Sequence, residues 1–350
     1  MSKRVNRQWV MASRPDGPVR EDNFALVESD VPPLEDGEFL IRTLYLSLAP
    51  VMRFYLIDGA GIEEPLQPGQ VMRGRGVGRV IESRNPRFNV GDIVQGKLGW
   101  QEYAISDGSP YYMMYKVQQN EVPVSTALGV LGMTGFTSDV GLLHVGAMKA
   151  GDRVLVSGAA GGVGSNVGQI ARNRDAGQIV GIAGSDDKCR LLTSKLGYDS
   201  AINYHTEDIA QRVEELFPLG IDVFFDNVGG EILDVALANL RTHGRVVACG
   251  RISQYLKDSD EVYRLKNWGE IGRRNARMEG FLIYDHEALF PEAEDTMARW
   301  IKEGRMTYAE DVLEGLESMP RGLMRLYEGS NRGKQVVRVD PEADAAFRGG

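Results

Sequence analysis

The sequence predicts an α/β protein in which a parallel, doubly wound sheet is joined to a smaller, barrel-like β-domain. From about residue 151 onward, short apolar runs alternate with helical patterns, as they do in βαβ units around a parallel sheet. The first hundred or so residues instead hold short strand-like runs between Gly and Pro turns. A chain of 350 residues is long enough for both parts.

In the first part, the stretches Phe39–Leu48 and Gly76–Glu82 alternate in part between apolar and polar residues and are predicted strands. Val90–Gln95 is predicted to form a turn followed by another short strand. Near the end of the chain, Lys334–Val339 has the pattern of a strand that returns to this β-rich part.

The alternating part is predicted to contain six strands. They are Arg153–Ser157, Ile179–Ala183, Ser200–Asn203, Ile221–Asp226, Arg245–Gly250 and Arg277–Ile283. The predicted helices are Gly164–Asn173, Asp186–Leu196, Glu207–Leu216, Glu231–Arg241 and Pro291–Lys302. The second helix has the clearest ends, because Ser185 suits its N-cap, Asp186 and Asp187 suit its first turn, and Gly197 suits its stop.

Composition and charge exclude several classes of protein. With 43% hydrophobic and 25% charged residues the chain is typical of globular proteins, and its net charge of −9 argues against a nucleic-acid partner. No apolar run long enough for a secretory signal follows the basic start, so a cytoplasmic location is expected. Val154–Ala171 is uncharged, but its glycines and its strand-like and helix-like halves favour a strand–turn–helix over a membrane span.

The stretch VSGAAGGVGSNVGQIA (Val156–Ala171) follows one predicted strand and begins a helix. Its counterparts to the dinucleotide-binding pattern G-x-G-x-x-G are Ala159, Gly161 and Gly164, so the first position is altered. Gly161 and Gly162 would let the backbone approach a pyrophosphate at the helix N-terminus. The alternative is a strand–helix connection that needs small residues only for packing. The full βαβ alternation favours the cofactor.

The end of the second strand indicates which cofactor binds. NAD-dependent enzymes usually place Asp or Glu there, against the ribose 2′-hydroxyl. Here the strand ends in small residues, Ala183–Ser185, and Lys188 follows one helical turn later. This pattern leaves room and a positive charge for a 2′-phosphate and predicts NADP(H). In the alternative interpretation, Lys188 is a solvated helix residue and Asp186 or Asp187 binds the ribose.

Neither a metal site nor a disulfide is predicted. The two cysteines, Cys189 and Cys249, are far apart in the sequence. The four histidines lack the spacing of metal ligands. They are His144, His205, His243 and His286.

Six stretches together resemble one enzyme family. In chain order they are VSGAAGGVGSNVGQIA, VGIAGSDDKCRLL, FDNVGGEILD, CGRISQY, RMEGFLIYD and EGSNRGKQV. They are similar to the zinc-independent medium-chain dehydrogenase/reductases, in the group of prostaglandin reductase (leukotriene B4 12-hydroxydehydrogenase), alkenal double-bond reductase and bacterial curcumin reductase-like enzymes. The resemblance extends from Leu46 to Val337.

The resemblance implies a GroES-like β-barrel catalytic domain formed by residues 1–128 and 302–350. A Rossmann NADP-binding domain, residues 129–301, would be inserted between these two segments. Members of the group use NADPH to reduce the carbon–carbon double bond of α,β-unsaturated aldehydes and ketones. They are usually homodimers joined through the Rossmann sheets, and a small apolar enone or enal is the implied substrate.

The resemblance also implies site residues. For the pyrophosphate these are Gly161, Gly162, Val163 and Gly164, and for the 2′-phosphate they are Gly184, Lys188 and Tyr204. Around the nicotinamide half they are Asn227, Cys249, Gly250, Ile252, Ser253, Tyr255, Phe281, Leu282, Ile283 and Asn331. Two of these have a simpler alternative, since Cys249 and Phe281 are residue types that often serve only as core.

Tyr255 is the predicted catalytic residue. Reduction of an enone places negative charge on the carbonyl oxygen, and without a metal a hydrogen-bond donor must stabilise that charge. A phenol remains protonated at neutral pH and can donate this bond. The alternative is an ordinary loop tyrosine with its hydroxyl in water. The proton for the α-carbon could come from the tyrosine or from solvent.

The substrate pocket departs from the family. In LSLAPVMR (Leu46–Arg53), Ala49 and Val51 replace the acid and the aromatic residue that many relatives have, which implies a wider or reshaped pocket. The predicted pocket residues are Val51, Arg53 and Tyr284. Tyr111–Tyr115 (YYMMY) is expected either to line the opening of the pocket or to pack between the two domains.

Two other functions fit the same sequence. One is reduction of quinones or metal-independent interconversion of alcohols and ketones on the same scaffold. The other is a nonenzymatic NADPH-binding sensor or structural protein, which the presence of Tyr255 disfavours.

Overall fold

The computed structural model describes residues 4–58, 63–118, 121–255, 257 and 260–344. The chain divides into two compact units. The first unit comprises Met1–Leu128, Glu310–Asn331 and Gln335–Gly350, and the second comprises Gly129–Ala309 and Arg332–Lys334. Within the described ranges, none of the helices is both long enough and apolar enough to cross a membrane.

The described residues form fifteen strands and eight α-helices, with short 3-10 turns between them. The strands are β1 (Val5–Met11), β2 (Phe24–Asp30), β3 (Phe39–Ser47), β4 (Arg75–Ser83), β5 (Ile93–Lys97), β6 (Tyr103–Ser106), β7 (Tyr115–Lys116), β8 (Arg153–Val156), β9 (Gln178–Ala183), β10 (Ser200–Asn203), β11 (Ile221–Asp226), β12 (Leu240–Ala248), β13 (Arg277–Gly280), β14 (Glu310–Glu314) and β15 (Lys334–Arg338). The helices are α1 (Met133–Asp139), α2 (Gly164–Asn173), α3 (Asp186–Lys195), α4 (Ile209–Leu216), α5 (Gly230–Ala238), α6 (Glu270–Arg273), α7 (Phe290–Lys302) and α8 (Met319–Tyr327).

The first unit is built on a seven-stranded sheet of order β14-β15-β3-β4-β5-β7, with β6 pairing to β3. β1 and β2 form a separate antiparallel pair. The predicted C-terminal strand is confirmed, because β15 pairs antiparallel with β3 and contributes the buried Val337 to the core. One core cluster surrounds Trp100, whose ring stacks on Phe24 with 5.2 Å between centroids. Burial of such large rings supplies much of the stability of a small β-domain.

The second unit contains a six-stranded sheet of order β10-β9-β8-β11-β12-β13, in which the paired strands run parallel. In chain order this is 3-2-1-4-5-6, the doubly wound arrangement. Its inner strands are continuous apolar runs because helices cover both faces of such a sheet. The strand order reverses between β8 and β11, and ligands of doubly wound sheets bind at the carboxyl ends of the strands at this point.

The structure corrects several predicted boundaries. The helix predicted as Glu231–Arg241 ends at Ala238, because the fully buried Leu240 already begins β12. Consequently the strand predicted as Arg245–Gly250 is longer at its start and ends at Ala248. The strand predicted as Arg277–Ile283 ends at Gly280, where pairing with β12 stops.

The helix predicted from Glu207 begins two residues later. Asp208 is its N-cap and accepts a hydrogen bond from the backbone N–H of Gln211 at 3.0 Å. Glu207 instead accepts from the backbone N–H of Asn203 at 2.7 Å. The bounds predicted for α2, β10 and β11 are confirmed. Eight described elements were not predicted: β1, β2, β6, β7, β14, α1, α6 and α8.

Candidate active site

The glycine loop between β8 and α2 is a tight turn. The backbone N–H of Gly161 donates to the carbonyl oxygen of Gly158 at 3.0 Å, and Gly158 has the left-handed φ of +57°. A Cβ at Gly164 would lie 2.5 Å from the same carbonyl oxygen, so only glycine fits there. The turn therefore brings the N-terminus of α2 close to the end of β8, and no side chain lies between Gly158 and Gly164 where the two backbones are closest. This is the arrangement that binds phosphate groups at helix N-termini.

A buried network joins this loop to the neighbouring strand. The Ser157 hydroxyl donates to Asp226 Oδ1 at 2.7 Å and accepts from the backbone N–H of Asn227 at 2.8 Å. The Asp226 carboxylate also accepts from the N–H groups of Val228 and Gly229. Burial raises the pKa of Asp226, and the hydrogen bonds from Gly229 and Ser157 oppose that rise. The network holds the carboxyl ends of β8 and β11 together.

Sequence reasoning missed both Ser157 and Asp226. The signal was present, because each is a polar residue at the end of an apolar strand and would be costly to bury without a partner. The predicted cofactor residue Asn227 is part of the same network. Its side-chain N–H donates to the carbonyl oxygen of Ser157 at 2.8 Å.

The predicted 2′-phosphate residues lie around the end of β9. A Cβ at Gly184 would be 2.7 Å from the phenol oxygen of Tyr204, so these two residues are in direct contact. The Ser185 hydroxyl accepts from the backbone N–H of Lys188 at 3.3 Å, which confirms Ser185 as the N-cap of α3. Gly184, Lys188 and Tyr204 therefore share one region beside the N-terminus of α3.

Both aspartates of the alternative, ribose-binding interpretation have partners in the protein. Asp186 accepts from the side-chain N–H of Asn203 at 2.7 Å. Asp187 forms ion pairs with Arg190 and, at 2.9 Å, with Arg332. Each carboxylate thus has a partner within the protein, and the pair with Arg332 brings a positive charge to this position.

Five of the predicted nicotinamide residues follow β12: Cys249, Gly250, Ile252, Ser253 and Tyr255. The backbone N–H groups of Cys249 and Gly250 both donate to the carbonyl oxygen of Asp226, at 2.9 and 3.0 Å. A 3-10 turn, Ile252–Gln254, then leads into Tyr255. The turn is fastened to the end of β11, because the Ser253 hydroxyl donates to the carbonyl oxygen of Val228 at 2.7 Å.

Tyr255 is half-buried and follows the 3-10 turn after β12. The backbone N–H of Arg251 donates to the phenol oxygen at 3.4 Å. A Cβ at Gly250 would lie 3.5 Å from that oxygen. Burial raises the pKa of Tyr255 above the ordinary value of 10.0, and burial raises the pKa of Cys249 to about 12. Both side chains are therefore neutral at physiological pH.

Phe281, Leu282 and the segment after them leave the sheet at the end of β13. Phe281 contacts Gly141, where a Cβ would lie 3.0 Å from the ring, and its ring meets His286 edge-on. Leu282 is 48% exposed. Ile283 and Tyr284 belong to the 3-10 turn Ile283–Leu289.

Three predicted residues belong to the first unit: Val51, Arg53 and Asn331. Val51 is 39% exposed on the 3-10 turn Pro50–Tyr55. Arg53 is buried, and its guanidinium donates to the carbonyl oxygen of Gly17 at 2.8 Å, which anchors this turn. In the YYMMY stretch, Tyr111 is exposed and lies under the Lys97 ammonium, 4.5 Å from the ring centroid. The roles of these residues toward substrate stay predictions.

Comparison with known proteins identifies the family. Residues 7–114 match the family model described as the N-terminal domain of oxidoreductase, and residues 162–303 match the model described as zinc-binding dehydrogenase. The NADPH-dependent curcumin reductase of Escherichia coli (strain K12) is 39% identical over 343 residues, which are 96% of this chain and 98% of the relative. The chain belongs to the zinc-independent medium-chain dehydrogenase/reductase family.

Two further members of the family are similar to this chain. The NADP(+)-dependent 2-alkenal reductase of Nicotiana tabacum is 40% identical over 344 residues, 96% of this chain and 98% of the relative. The crystal structure of CurA from Vibrio vulnificus in complex with NADPH is 38% identical, with a TM-score of 0.88 over 95% of this chain and 99% of that chain. The resemblance and the α/β fold class predicted from the sequence are confirmed.

The second family model is described as zinc-binding dehydrogenase, a description that implies metal ligands. Within the part of the chain that the structure describes, no three His, Cys, Asp or Glu side chains are grouped to hold a metal ion. The two cysteines are free thiols, Cys189 in α3 and Cys249 just after β12. Tyr255 stays the predicted group for charge that develops on a substrate.

One short segment near the glycine loop also escaped prediction. The backbone N–H of Gly333 donates to the carbonyl oxygen of Ala160 at 2.9 Å, and Gly333 pairs with Gly161 as an isolated parallel bridge. The next residue, Lys334, is buried, and a Cβ at Gly162 would lie 3.3 Å from its Cδ. In the motif EGSNRGKQV, the sequence predicts a cofactor contact only for Asn331. The contacts of Gly333 with Ala160 and Gly161 join residues about half the chain apart, and no local pattern indicates them.

Proposed function

We propose that this protein is an NADPH-dependent reductase of the carbon–carbon double bond of α,β-unsaturated aldehydes and ketones. The observation that carries the proposal is the placement of Tyr255, a neutral phenol, in the turn that follows the carboxyl end of β12. The nearly full-length similarity to a curcumin reductase and a 2-alkenal reductase supports the same conclusion.

The residues of the second unit fit the cofactor. Gly161, Gly162, Val163 and Gly164 would hold the pyrophosphate at the N-terminus of α2, where a side chain at the last position has no room. Lys188 and Tyr204 would hold the 2′-phosphate. NADPH, when bound, supplies the hydride for the reaction.

Tyr255 acts on the substrate carbonyl in this proposal. As the β-carbon receives hydride, negative charge collects on the carbonyl oxygen. The phenol donates a hydrogen bond to that oxygen, and the bond strengthens as the charge develops, which lowers the barrier selectively. The raised pKa of Tyr255 keeps the proton on the phenol throughout the physiological range. One such donor typically contributes about 3 kcal/mol to transition-state stabilisation.

A matched substrate panel tests the proposed function. Purified protein and NADPH are incubated with an enone, its saturated ketone, the corresponding allylic alcohol and a quinone, and cofactor oxidation is followed by absorbance. We expect oxidation with the enone and not with the saturated ketone, and a product that gains two hydrogens by mass spectrometry and keeps its carbonyl by NMR. An alcohol product, activity confined to quinones, or tight NADPH binding without turnover would overturn the proposal.

We propose further that the protein is a homodimer. β13 is an edge strand of the parallel sheet, and all four of its residues are exposed. Met278 on this strand and Leu282 just after it are 39% and 48% exposed, respectively. An unpaired edge with apolar side chains favours pairing with a second copy. Light scattering after size exclusion should give twice the mass of the chain, and Met278→Lys should lower it. A monomer at micromolar concentration would contradict this.

A cytoplasmic location is also proposed. Cys189 and Cys249 are both free thiols, which suits a reducing compartment. Cell fractionation with an antibody to the native protein tests it, and recovery outside the cytoplasmic fraction would contradict it.

A further inference from the structure

Arg332 is held beside the cofactor loop by its neighbour in sequence. Gly333 is bonded to Ala160, and its φ is +70°. A Cβ at Gly333 would overlap the carbonyl oxygen of Ala309, so the position requires glycine. The backbone of the segment Arg332–Lys334 is thus fixed against the glycine loop, and Arg332 leaves it toward the N-terminus of α3.

The guanidinium of Arg332 reaches the region where the 2′-phosphate residues meet. Its Nη2 lies 2.9 Å from Asp187 Oδ2, and Asp187 immediately precedes Lys188 in the first turn of α3. The contact joins two segments that are 145 residues apart. Both side chains of the pair are more than half exposed. Ion pairs so exposed contribute little to stability, so a competing anion can displace the carboxylate at little cost.

A phosphate dianion is a stronger partner for this guanidinium than the carboxylate is. Arginine presents a planar fork of donors that suits phosphate oxygens, and the charge of a phosphate monoester is larger than that of Asp187. Asp187 also keeps Arg190 as a second partner, so the carboxylate remains paired when Arg332 leaves it. The arrangement therefore permits an exchange of Arg332 from Asp187 to an incoming anion.

We propose that Arg332 is a specificity-determining residue for NADPH, paired with Asp187 in the free protein and bound to the 2′-phosphate in the complex. The inference rests on the proposed cofactor and adds a second cation, from a distant segment, to Lys188. A cation supplied by Arg332 also offsets the repulsion between Asp187 and the phosphate.

The test uses adenosine 2′,5′-bisphosphate and adenosine 5′-monophosphate as probes, which separate phosphate recognition from any catalytic activity. Calorimetric titration of the full-length protein should show preference for the bisphosphate. Arg332→Ala should weaken bisphosphate binding about tenfold, as loss of one charge-assisted contact does, and leave monophosphate binding unchanged. Arg190→Ala is the matched control, because it removes the same charge and the other partner of Asp187, and it should change neither.

The double variant Arg332→Ala/Asp187→Asn distinguishes direct contact from mere neutralisation of Asp187. Direct contact predicts that bisphosphate binding stays weak in the double variant. Three results would overturn the role of Arg332. The double variant could recover the wild-type affinity for the bisphosphate, Arg332→Ala could bind it as tightly as the wild type, or Arg190→Ala could weaken its binding to the same extent. A wild-type protein without preference for the bisphosphate would overturn the proposed cofactor as well, so the two failures are distinguishable.

Discussion

The two ends of the proposed cofactor site are built on opposite principles. At the phosphate end, near the start of α3, the groups are polar and exposed: Tyr204 is 42% exposed, and the charged Asp187 and Arg332 are more than half exposed. At the reacting end, after β12, the groups are neutral and only partly exposed to water, and burial raises the pKa values of both Tyr255 and Cys249.

This difference predicts a division of labour. Exposed charges recognise a charged group and contribute to binding, an effect that salt weakens. A shielded hydrogen-bond donor stabilises charge that exists only in the transition state and contributes to rate. Substitutions at the phosphate end should therefore change cofactor affinity, and those at the reacting end should change turnover.

Removal of the Tyr255 hydroxyl should have the largest effect. We expect Tyr255→Phe to lower kcat about 100-fold, because a donor to the developing oxyanion is lost, and to leave the Kd of NADPH within about twofold. Steady-state kinetics and fluorescence titration measure the two quantities. Tyr263→Phe is the control, because that phenol donates to Asp234, a residue without a part in the proposed mechanism. Equal turnover of Tyr255→Phe and wild type would remove the catalytic role of the phenol.

Loss of charge at the phosphate end comes next. Lys188→Ala should raise the Kd of NADPH about 20-fold and leave that of NADH unchanged, because only NADPH carries the 2′-phosphate. Lys195→Ala removes the same charge from the exposed last turn of the same helix and should change neither. Similar losses for both cofactors would show that Lys188 does not recognise the phosphate.

The junction between the two ends can be weakened separately. Ser157→Ala removes the hydroxyl that joins the glycine loop to Asp226 and leaves a buried carboxylate with one donor fewer. We expect a decrease of about 2 kcal/mol in the free energy of unfolding, measured by urea denaturation. Ser194→Ala, at an exposed position of α3, should have almost no effect. If both variants are equally stable, the network does not hold the loop.

The smallest expected effect is on the pH profile. Because the pKa of Tyr255 is raised above 10.0, the phenol is protonated below that pH and ionises only above it. Turnover should thus be insensitive to this group between about pH 7 and about pH 9 and fall at more alkaline pH. The free energy of unfolding follows the same direction. The stabilisation that comes from the neutral phenol is present below pH 10 and is lost as the pH rises through the folded-state pKa. If turnover already falls near neutral pH, and falls in the same way in Tyr255→Phe, the loss of activity belongs to another ionisable group.

The second unit was more predictable than the first, for physical reasons. Buried parallel strands are continuous apolar runs, and glycine and capping residues mark the helix ends, so β10, β11 and α2 have the predicted bounds. β1 and β2 escaped because their patterns mix exposed and buried residues irregularly. α5 was extended too far because Leu240 continues its apolar pattern while pairing in the sheet.

For the site, sequence patterns reveal groups that are near one another in the chain. The glycine loop, Ser185 and Lys188 belong to such local motifs. The ion pair of Arg332 with Asp187 and the bridge from Ser157 to Asp226 join segments 145 and 69 residues apart. Only the folded sheet brings these pairs together.

The central claim is tested most directly by single-turnover NADPH oxidation in a stopped-flow instrument, at saturating cofactor and enone, with Lys188→Ala and Tyr255→Phe side by side. The account predicts that Lys188→Ala reaches the wild-type rate once the cofactor is saturating, whereas Tyr255→Phe stays about 100-fold slower at every concentration. The account would be contradicted if the Lys188→Ala variant oxidised NADPH more slowly than the wild type at saturating cofactor. It would also be contradicted if the Tyr255→Phe variant were as fast as the wild type.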